Sequence, residues 1–175
     1  DLPRLPDRIL FVGGGYISFE FAHVASRAGC SQVSILHRSD RPLKAFDKDI
    51  VETIIQASEA EGIHIALNET PVSVESRESG FLIKGSTGAV YEADLIVEAT
   101  GRIPDVTVLD QGRDHDVTTH HRGIAVNEHM QSISNPAVYA VGDCSASGPM
   151  LATVADEQGK VAAANIIKGN HKKFD

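Results

Sequence analysis

Three consecutive glycines, Gly13-Gly14-Gly15, separate an apolar run from a helical repeat, and nothing else in the chain constrains its fold as tightly. Residues 8–12 (RILFV) read as a short buried strand. Beyond the glycines, Ile17, Phe21, Val24 and Ala28 recur at helical spacing, with Gly29 as the stop. A second apolar run, Val33 to Leu36, follows. Asp47 is placed to cap a further helix that reads Ile50, Ile54, Ala57 and ends at Gly62, and residues 63–67 form a third strand. The order β-α-β-α-β predicts a parallel, right-handed, doubly wound sheet.

The pattern then changes. Residues 70–76, 80–84 and 88–92 are short β-rich runs separated by turn signals at Ser79-Gly80 and Gly85 to Gly88, which predicts an antiparallel meander. Leu95, Ile96 and Val97 make another buried strand ending at Thr100-Gly101. From Pro104 to Gly123 the chain is polar and reads as loop. Ile124–Val126 and Val138–Val141 read as short strands, the second ending in Gly142-Asp143. Residues 151–168 read as a helix burying Val154, Val161, Ala164 and Ile167.

Composition excludes several classes. With 42% hydrophobic and 23% charged residues, the chain matches a globular protein rather than a disordered one. A net charge of −8 argues against a nucleic-acid partner. No apolar run approaches the roughly 18 residues of a membrane span, and residues 1–8 (DLPRLPDR) do not make a signal-peptide core. Cys30 and Cys144 form neither a zinc nor a redox spacing, which points to a reducing, cytoplasmic compartment.

The segment Gly13-Gly14-Gly15-Tyr16-Ile17-Ser18 lies where a dinucleotide fingerprint belongs, between a strand and a helix. Gly13 permits the tight turn, and Gly15 lets the backbone approach a pyrophosphate at the helix N-terminus. Ser18 stands where the pattern has Gly or Ala, and it is small enough for close helix–strand contact. An ordinary glycine turn is the alternative. The end of the second strand selects the cofactor, because an acid about 20 positions on would hold the ribose 2′-hydroxyl of NAD. That place is His37, followed by Arg38, Ser39, Arg41 and Lys44, with three cations against one anion over residues 38–44. Guanidinium groups suit a phosphate, so NADP(H) is favoured over the reading of a solvated basic loop.

Together, several stretches resemble one family, the flavin-dependent pyridine nucleotide–disulfide oxidoreductases. They are Val12-Gly-Gly-Gly-Tyr-Ile-Ser-Phe-Glu-Phe-Ala22, Ala99-Thr-Gly-Arg-Ile-Pro104, Val126-Asn-Glu128, Tyr139-Ala-Val-Gly-Asp143, Leu151-Ala-Thr-Val-Ala155 and Gln158-Gly159. The basic loop is closer to the NADPH-using glutathione and mercuric reductase branches than to the lipoamide branch. The resemblance implies that Tyr16 covers the nicotinamide pocket and that Glu20 pairs with a lysine near redox cysteines. It further implies that Asp143, with Gly142, holds the ribityl chain of FAD and that the helix from Ala152 points at the flavin. Thr100, Gly101 and Arg102 then fall where two domains meet. Asp105 stands where the family usually has Asn, and Ala152-Thr153 replaces a common Thr-Pro.

The expected architecture is therefore an α/β, Rossmann-like doubly wound parallel sheet with an antiparallel meander, plus an incomplete FAD-domain segment. The boundary is expected between an NAD(P) domain, residues 1–103, and the FAD-domain segment, residues 104–175. The family passes a hydride from NADPH to FAD and then electrons to a cysteine pair. The FAD fingerprint, the C-x-x-x-x-C pair and the His-Glu interface domain are not in this sequence, so the piece alone is expected to be inactive. The remainder of a parent chain and a second copy of this one are the expected protein partners. A relative of NAD(P)H oxidases or ferredoxin reductases, or a stand-alone nucleotide-binding module, is the alternative. His115, His120 and His121 lie in a segment without periodicity and are not expected to bind metal. His23 reads as a surface or interface histidine rather than a catalytic base, and Cys144 as a buried structural thiol.

Overall fold

In a computed structural model the chain is described at residue 2, residues 4–110 and residues 116–175. It divides into two compact units, Asp1–Gly101 and Arg102–Asp175. In the first unit, β1 (Arg8–Val12), β2 (Gln32–His37), β3 (Ile63–Leu67) and β7 (Leu95–Glu98) form a parallel sheet in the order β3-β2-β1-β7. Helix α1 (Tyr16–Arg27) follows β1 and α2 (Lys48–Ala60) follows β2. The meander β4 (Pro71–Arg77), β5 (Gly80–Gly85) and β6 (Val90–Ala93) is antiparallel throughout.

Side-chain alternation explains why β1 is apolar at consecutive positions. Ile9 and Phe11 face a core shared with Phe19, Ala22 and Ala25 of α1 and Val51 of α2. Leu10 faces the opposite way, into a core with Ile83 and Ala93 of the meander. A sheet covered on both faces needs such runs rather than alternation. Arg8 clamps the arrangement: its N–H (2.9 Å) and Nε (3.1 Å) both donate to the Asp94 carboxylate, between β6 and β7.

Helix α1 buries Ser18, Phe19, Ala22 and Ala25, not the stripe Ile17, Phe21, Val24 and Ala28 expected from hydrophobicity. Phe21 is 57% exposed and Val24 63%. One residue of offset rotates the buried face by about 100°; three of its four buried residues are small and let the helix approach the sheet closely, and Phe19 fills the core beside them. Helix α2 shows the same effect: Val51 and Ser58 are buried, while Ile50 and Ala57 are exposed. Its cap is as expected, with the Asp47 carboxylate accepting from the N–H groups of Asp49 (3.0 Å) and Ile50 (3.3 Å), a contact of about 1 kcal/mol. His23 is not a free surface group, since its Nε2 lies 3.0 Å from Ser58 Oγ and ties α1 to α2.

The second unit has less regular structure. The segment expected to be loop contains a four-residue helix, α3 (Thr107–Asp110), and the strand β8 (Thr119–His120), which pairs with β9 (Gly123–Ile124). Asp114 and His115 lie outside the described residues. Residues 138–141 do not form the expected strand; an isolated bridge pairs Tyr139 with Gln131. Helix α4 (Ala152–Lys168) packs Val161 and Ala162 against Met130, yet its other buried residues are polar, Gln158 and Asn165. Ile167, expected inside, is 78% exposed. Asn165 explains the rotation. Its amide donates to the His129 and Lys172 carbonyls (both 3.0 Å), while its oxygen accepts from the His171 (3.0 Å) and Lys172 (2.9 Å) N–H groups. A buried side chain satisfied four times over fixes the helix face more sharply than one isoleucine.

Candidate cofactor-binding cleft

A cleft of about 360 Å³ opens at the carboxyl ends of β1, β2 and β7, lined by the glycine turn, Tyr16, His37, Arg38, Lys44, Glu69 and Thr100-Gly101. β1 has β2 on one side and β7 on the other, so the strand order switches direction here, where open α/β sheets bind ligands. Gly13 makes the turn possible. It has φ +114°, and a Cβ would lie 2.3 Å from the Ala99 carbonyl oxygen. Ser18 is fully buried, and its hydroxyl donates to the Gly13 carbonyl. That bond locks the turn to the helix, a role that smallness alone did not predict. Gly15, with φ −89°, begins α1 without a side-chain cap, and no acid lies in the first turn. A Cβ there would meet nothing within 4 Å. The helix N-terminus therefore carries its partial positive charge into open space, suited to an anion.

His37 ends β2 with both ring nitrogens engaged. Nδ1 accepts from the Gly14 N–H at 3.0 Å, and Nε2 lies 2.9 Å from the Arg41 carbonyl and 2.8 Å from Ser39 Oγ. An amide N–H can only donate and a carbonyl can only accept, so the ring is neutral with its proton on Nε2. Burial, followed by the positive charges of Lys44 and Arg38, pushes its pKa below the ordinary histidine value. Arg38 and Lys44 are exposed at the cleft. Arg41 is not brought there: its guanidinium donates to the Lys44 carbonyl at 3.0 Å and braces the loop from within.

Glu69 carries no sequence signal, yet it is 3% exposed on the cleft wall. Its carboxylate accepts from the Thr87 hydroxyl, the Thr87 N–H (3.1 Å), the Ser86 hydroxyl (2.9 Å) and the Tyr91 hydroxyl (3.3 Å). These bonds, the Thr87 hydroxyl first, hold its pKa at about 2 against an ordinary 4.5. The stabilisation is thus complete above about pH 4.5 and is lost as pH falls toward 2. Urea midpoints between pH 6 and 2.5 are expected to fall more steeply for the wild type than for Glu69→Gln, which has no charge to protonate. Parallel curves would refute this.

Of the expected site residues, Gly13, Gly15, Tyr16, His37, Arg38, Lys44, Thr100 and Gly101 line this cleft, whereas Ile17, Glu20 and Arg41 do not. Arg102, Gly142, Asp143 and Ala152 belong to the second unit. There Gly142 (φ +68°) opens a 3₁₀ turn through Cys144, and its N–H donates to Gln158 Oε1 at 2.7 Å. Asp143 is exposed and lies 3.7 Å from the Arg102 guanidinium. Ala152 is the first residue of α4, which has no side-chain cap. Cys144 is half-buried rather than buried, with its thiol on the Val141 carbonyl at 3.2 Å. His120 and His121 place their rings 5.7 Å apart. Gly14, Leu43, Phe46, Glu69 and Thr70 also line the cleft and were not expected to.

The profile of the pyridine nucleotide-disulphide oxidoreductases matches residues 1–159. The chain belongs to that family. It is 31% identical to a mercuric reductase of Lysinibacillus sphaericus over 180 residues, covering 100% of this chain and 32% of that one. A glutathione reductase of Burkholderia cepacia is 33% identical over 174 residues, 97% of this chain and 37% of the relative. The chain thus spans about a third of the length of these relatives. Among solved structures, an engineered water-forming NADPH oxidase superposes with a TM-score of 0.82 at 28% identity, over 97% of this chain and 38% of that one. The same figures hold for the water-forming NADH oxidase of Lactobacillus brevis. The family's members are FAD-dependent and use a pyridine nucleotide. Among the described residues, no helix is long and apolar enough to cross a membrane.

Proposed function

We propose that the cleft binds NADPH in preference to NADH, as the nucleotide-binding part of an FAD-dependent, glutathione reductase-like disulfide oxidoreductase. The observation that carries this reading is the end of β2. In place of an acid to take a ribose 2′-hydroxyl, β2 ends in His37, which spends both nitrogens on the protein itself, and two cations, Arg38 and Lys44, are left at the opening. The relatives support it. The NADPH oxidase is described as a mutant of the NADH enzyme. Among its changes an aspartate becomes alanine, the next two positions become arginine and serine, and the position seven after the aspartate becomes arginine. This chain has His37, Arg38, Ser39 and Lys44 at the same spacing.

The residues present fit a dinucleotide: an uncapped helix start, a bare glycine facing open space, and cations at the far end. Tyr16, half-buried on the cleft wall beside the glycines, would cover the nicotinamide end, a reading supported by its position in the motif. For FAD the chain offers the turn at Gly142-Asp143 and the uncapped start of α4. When bound, FAD would accept the hydride of the nicotinamide; the residues of the first unit bind and orient the dinucleotide. The likeness to two oxidases favours, as a second reading, a parent that passes its electrons to oxygen instead of a disulfide. Calorimetric titration tests the nucleotide reading. NADPH is expected to bind at least about ten-fold more tightly than NADH, a difference of about 1.4 kcal/mol, and equal affinities would overturn the proposal.

A further inference from the structure

The middle position of the fingerprint is free in principle, since the pattern specifies only the first, third and sixth residues. Here it is Gly14, and it has a structural reason to be glycine. A Cβ on Gly14 would lie 2.7 Å from both Cγ and Nδ1 of His37 and 2.8 Å from Cβ of Pro42. Both backbone groups of Gly14 are spent on the basic loop. Its N–H donates to His37 Nδ1 at 3.0 Å, and its carbonyl accepts from the Leu43 N–H at 2.8 Å. Leu43 is a buried non-glycine residue at φ +49°, a conformation that persists only where its surroundings impose it. Pro42, also buried, fixes the chain just before it.

His37 closes the circuit. Through Nε2 it reaches the Arg41 carbonyl and Ser39 Oγ, so one imidazole spans the distance between the glycine turn and the middle of the loop carrying Arg38 and Lys44. We infer that His37 is a positioning residue for nucleotide selectivity: its neutral ring, held against Gly14, sets the loop so that Arg38 and Lys44 meet a 2′-phosphate, and it does not touch the cofactor through either nitrogen. This deepens the NADPH reading and rests on it. It also revises the expectation that His37 is itself a cofactor ligand. The charged groups around the ring are Lys44, Arg38 and Asp40 on its own loop; Glu69, whose N–H donates to the His37 carbonyl at 2.9 Å, turns its carboxylate toward Ser86 and Thr87. The neighbours thus include two cations that oppose a proton on the imidazole. Its depressed pKa agrees with a ring that stays neutral at physiological pH.

The test compares NADP⁺ and NAD⁺ binding by calorimetry for the wild-type chain and three variants. His37→Phe keeps an aromatic ring and loses all three contacts of the ring nitrogens. His37→Asn keeps an amide oxygen able to accept the Gly14 N–H. Gly14→Ala keeps the imidazole and displaces it, which serves if the Phe variant does not fold. His37→Phe and Gly14→Ala are expected to weaken NADP⁺ binding about ten-fold and NAD⁺ binding by less than about three-fold, since only the 2′-phosphate depends on the loop. His37→Asn is expected to restore part of the lost selectivity. Equal losses for both nucleotides, or no rescue by Asn, would overturn the inference by reducing His37 to a packing residue. A wild type that prefers NADP⁺ together with variants of unchanged preference would overturn it alone. A wild type that binds both nucleotides equally would overturn the NADPH reading and this inference with it.

Discussion

Gly13→Ala is expected to destabilise the first unit by about 3–5 kcal/mol, a large share of the roughly 5–15 kcal/mol that holds a typical domain together. Two costs combine. The residue would be held at φ +114°, where an L side chain is strained by about 1–3 kcal/mol. Its Cβ would also lie 2.3 Å from the Ala99 carbonyl oxygen, a main-chain atom that can move only by breaking the Ala99 N–H bond to Val12 (2.8 Å) and the edge of β7. With a urea slope of about 1–3 kcal/mol per molar, the midpoint falls by about 2 M. Gly15→Ala is the informative contrast. At φ −89° and with nothing within 4 Å of a Cβ, it leaves the midpoint close to wild type but puts a methyl where a pyrophosphate would approach. Two glycines of one motif would then separate folding from binding. A Gly15→Ala variant that binds NADPH as well as wild type would refute the assignment of that space to the nucleotide.

Arg38→Ala and Lys44→Ala are each expected to weaken NADPH binding about ten-fold while leaving NADH binding unchanged. A charge-assisted hydrogen bond to a phosphate contributes about 1.5–3 kcal/mol, and both side chains are exposed, so solvent screening places the effect near the lower end. The 2′-phosphate carries about −1.5 to −2 charges at neutral pH, so raising the salt from about 50 to about 300 mM should erode the NADPH preference of the wild type and leave that of the double variant flat. Arg41→Ala separates charge from architecture. Its guanidinium is bonded to the Lys44 carbonyl, so its effect should appear in loop order and be smaller. If neither Arg38→Ala nor Lys44→Ala alters NADPH affinity, the basic loop is only a solvated surface.

Elements with strong local signals were legible in the sequence. The strand–glycine–helix junction, the Asp47 cap, the meander turns at Gly80 and Gly85 and the parallel order were all readable, because turn chemistry and apolar runs act over a few residues. Helix faces were less so. On α1 Phe21 and Val24 point outward while Phe19 and the small residues Ser18, Ala22 and Ala25 are buried, and on α4 the buried positions include Gln158 and Asn165. Periodicity weighs hydrophobicity, whereas the fold selected smallness in one helix and hydrogen-bond satisfaction in the other.

Residue type at a fixed spacing was enough to establish the family motifs, the turn at Gly13 and the histidine in place of an acid at the end of β2. The folded chain had to be seen before four other points could be read. They are what His37 does, why position 14 must be glycine, that Arg41 braces the loop while Arg38 and Lys44 face the cleft, and that Glu69 forms part of its wall. A side chain's chemistry is written in the chain, but which hydrogen bonds consume it is not. That depends on atoms brought together from 23 residues away, as for Gly14 and His37, or 18, as for Glu69 and Thr87.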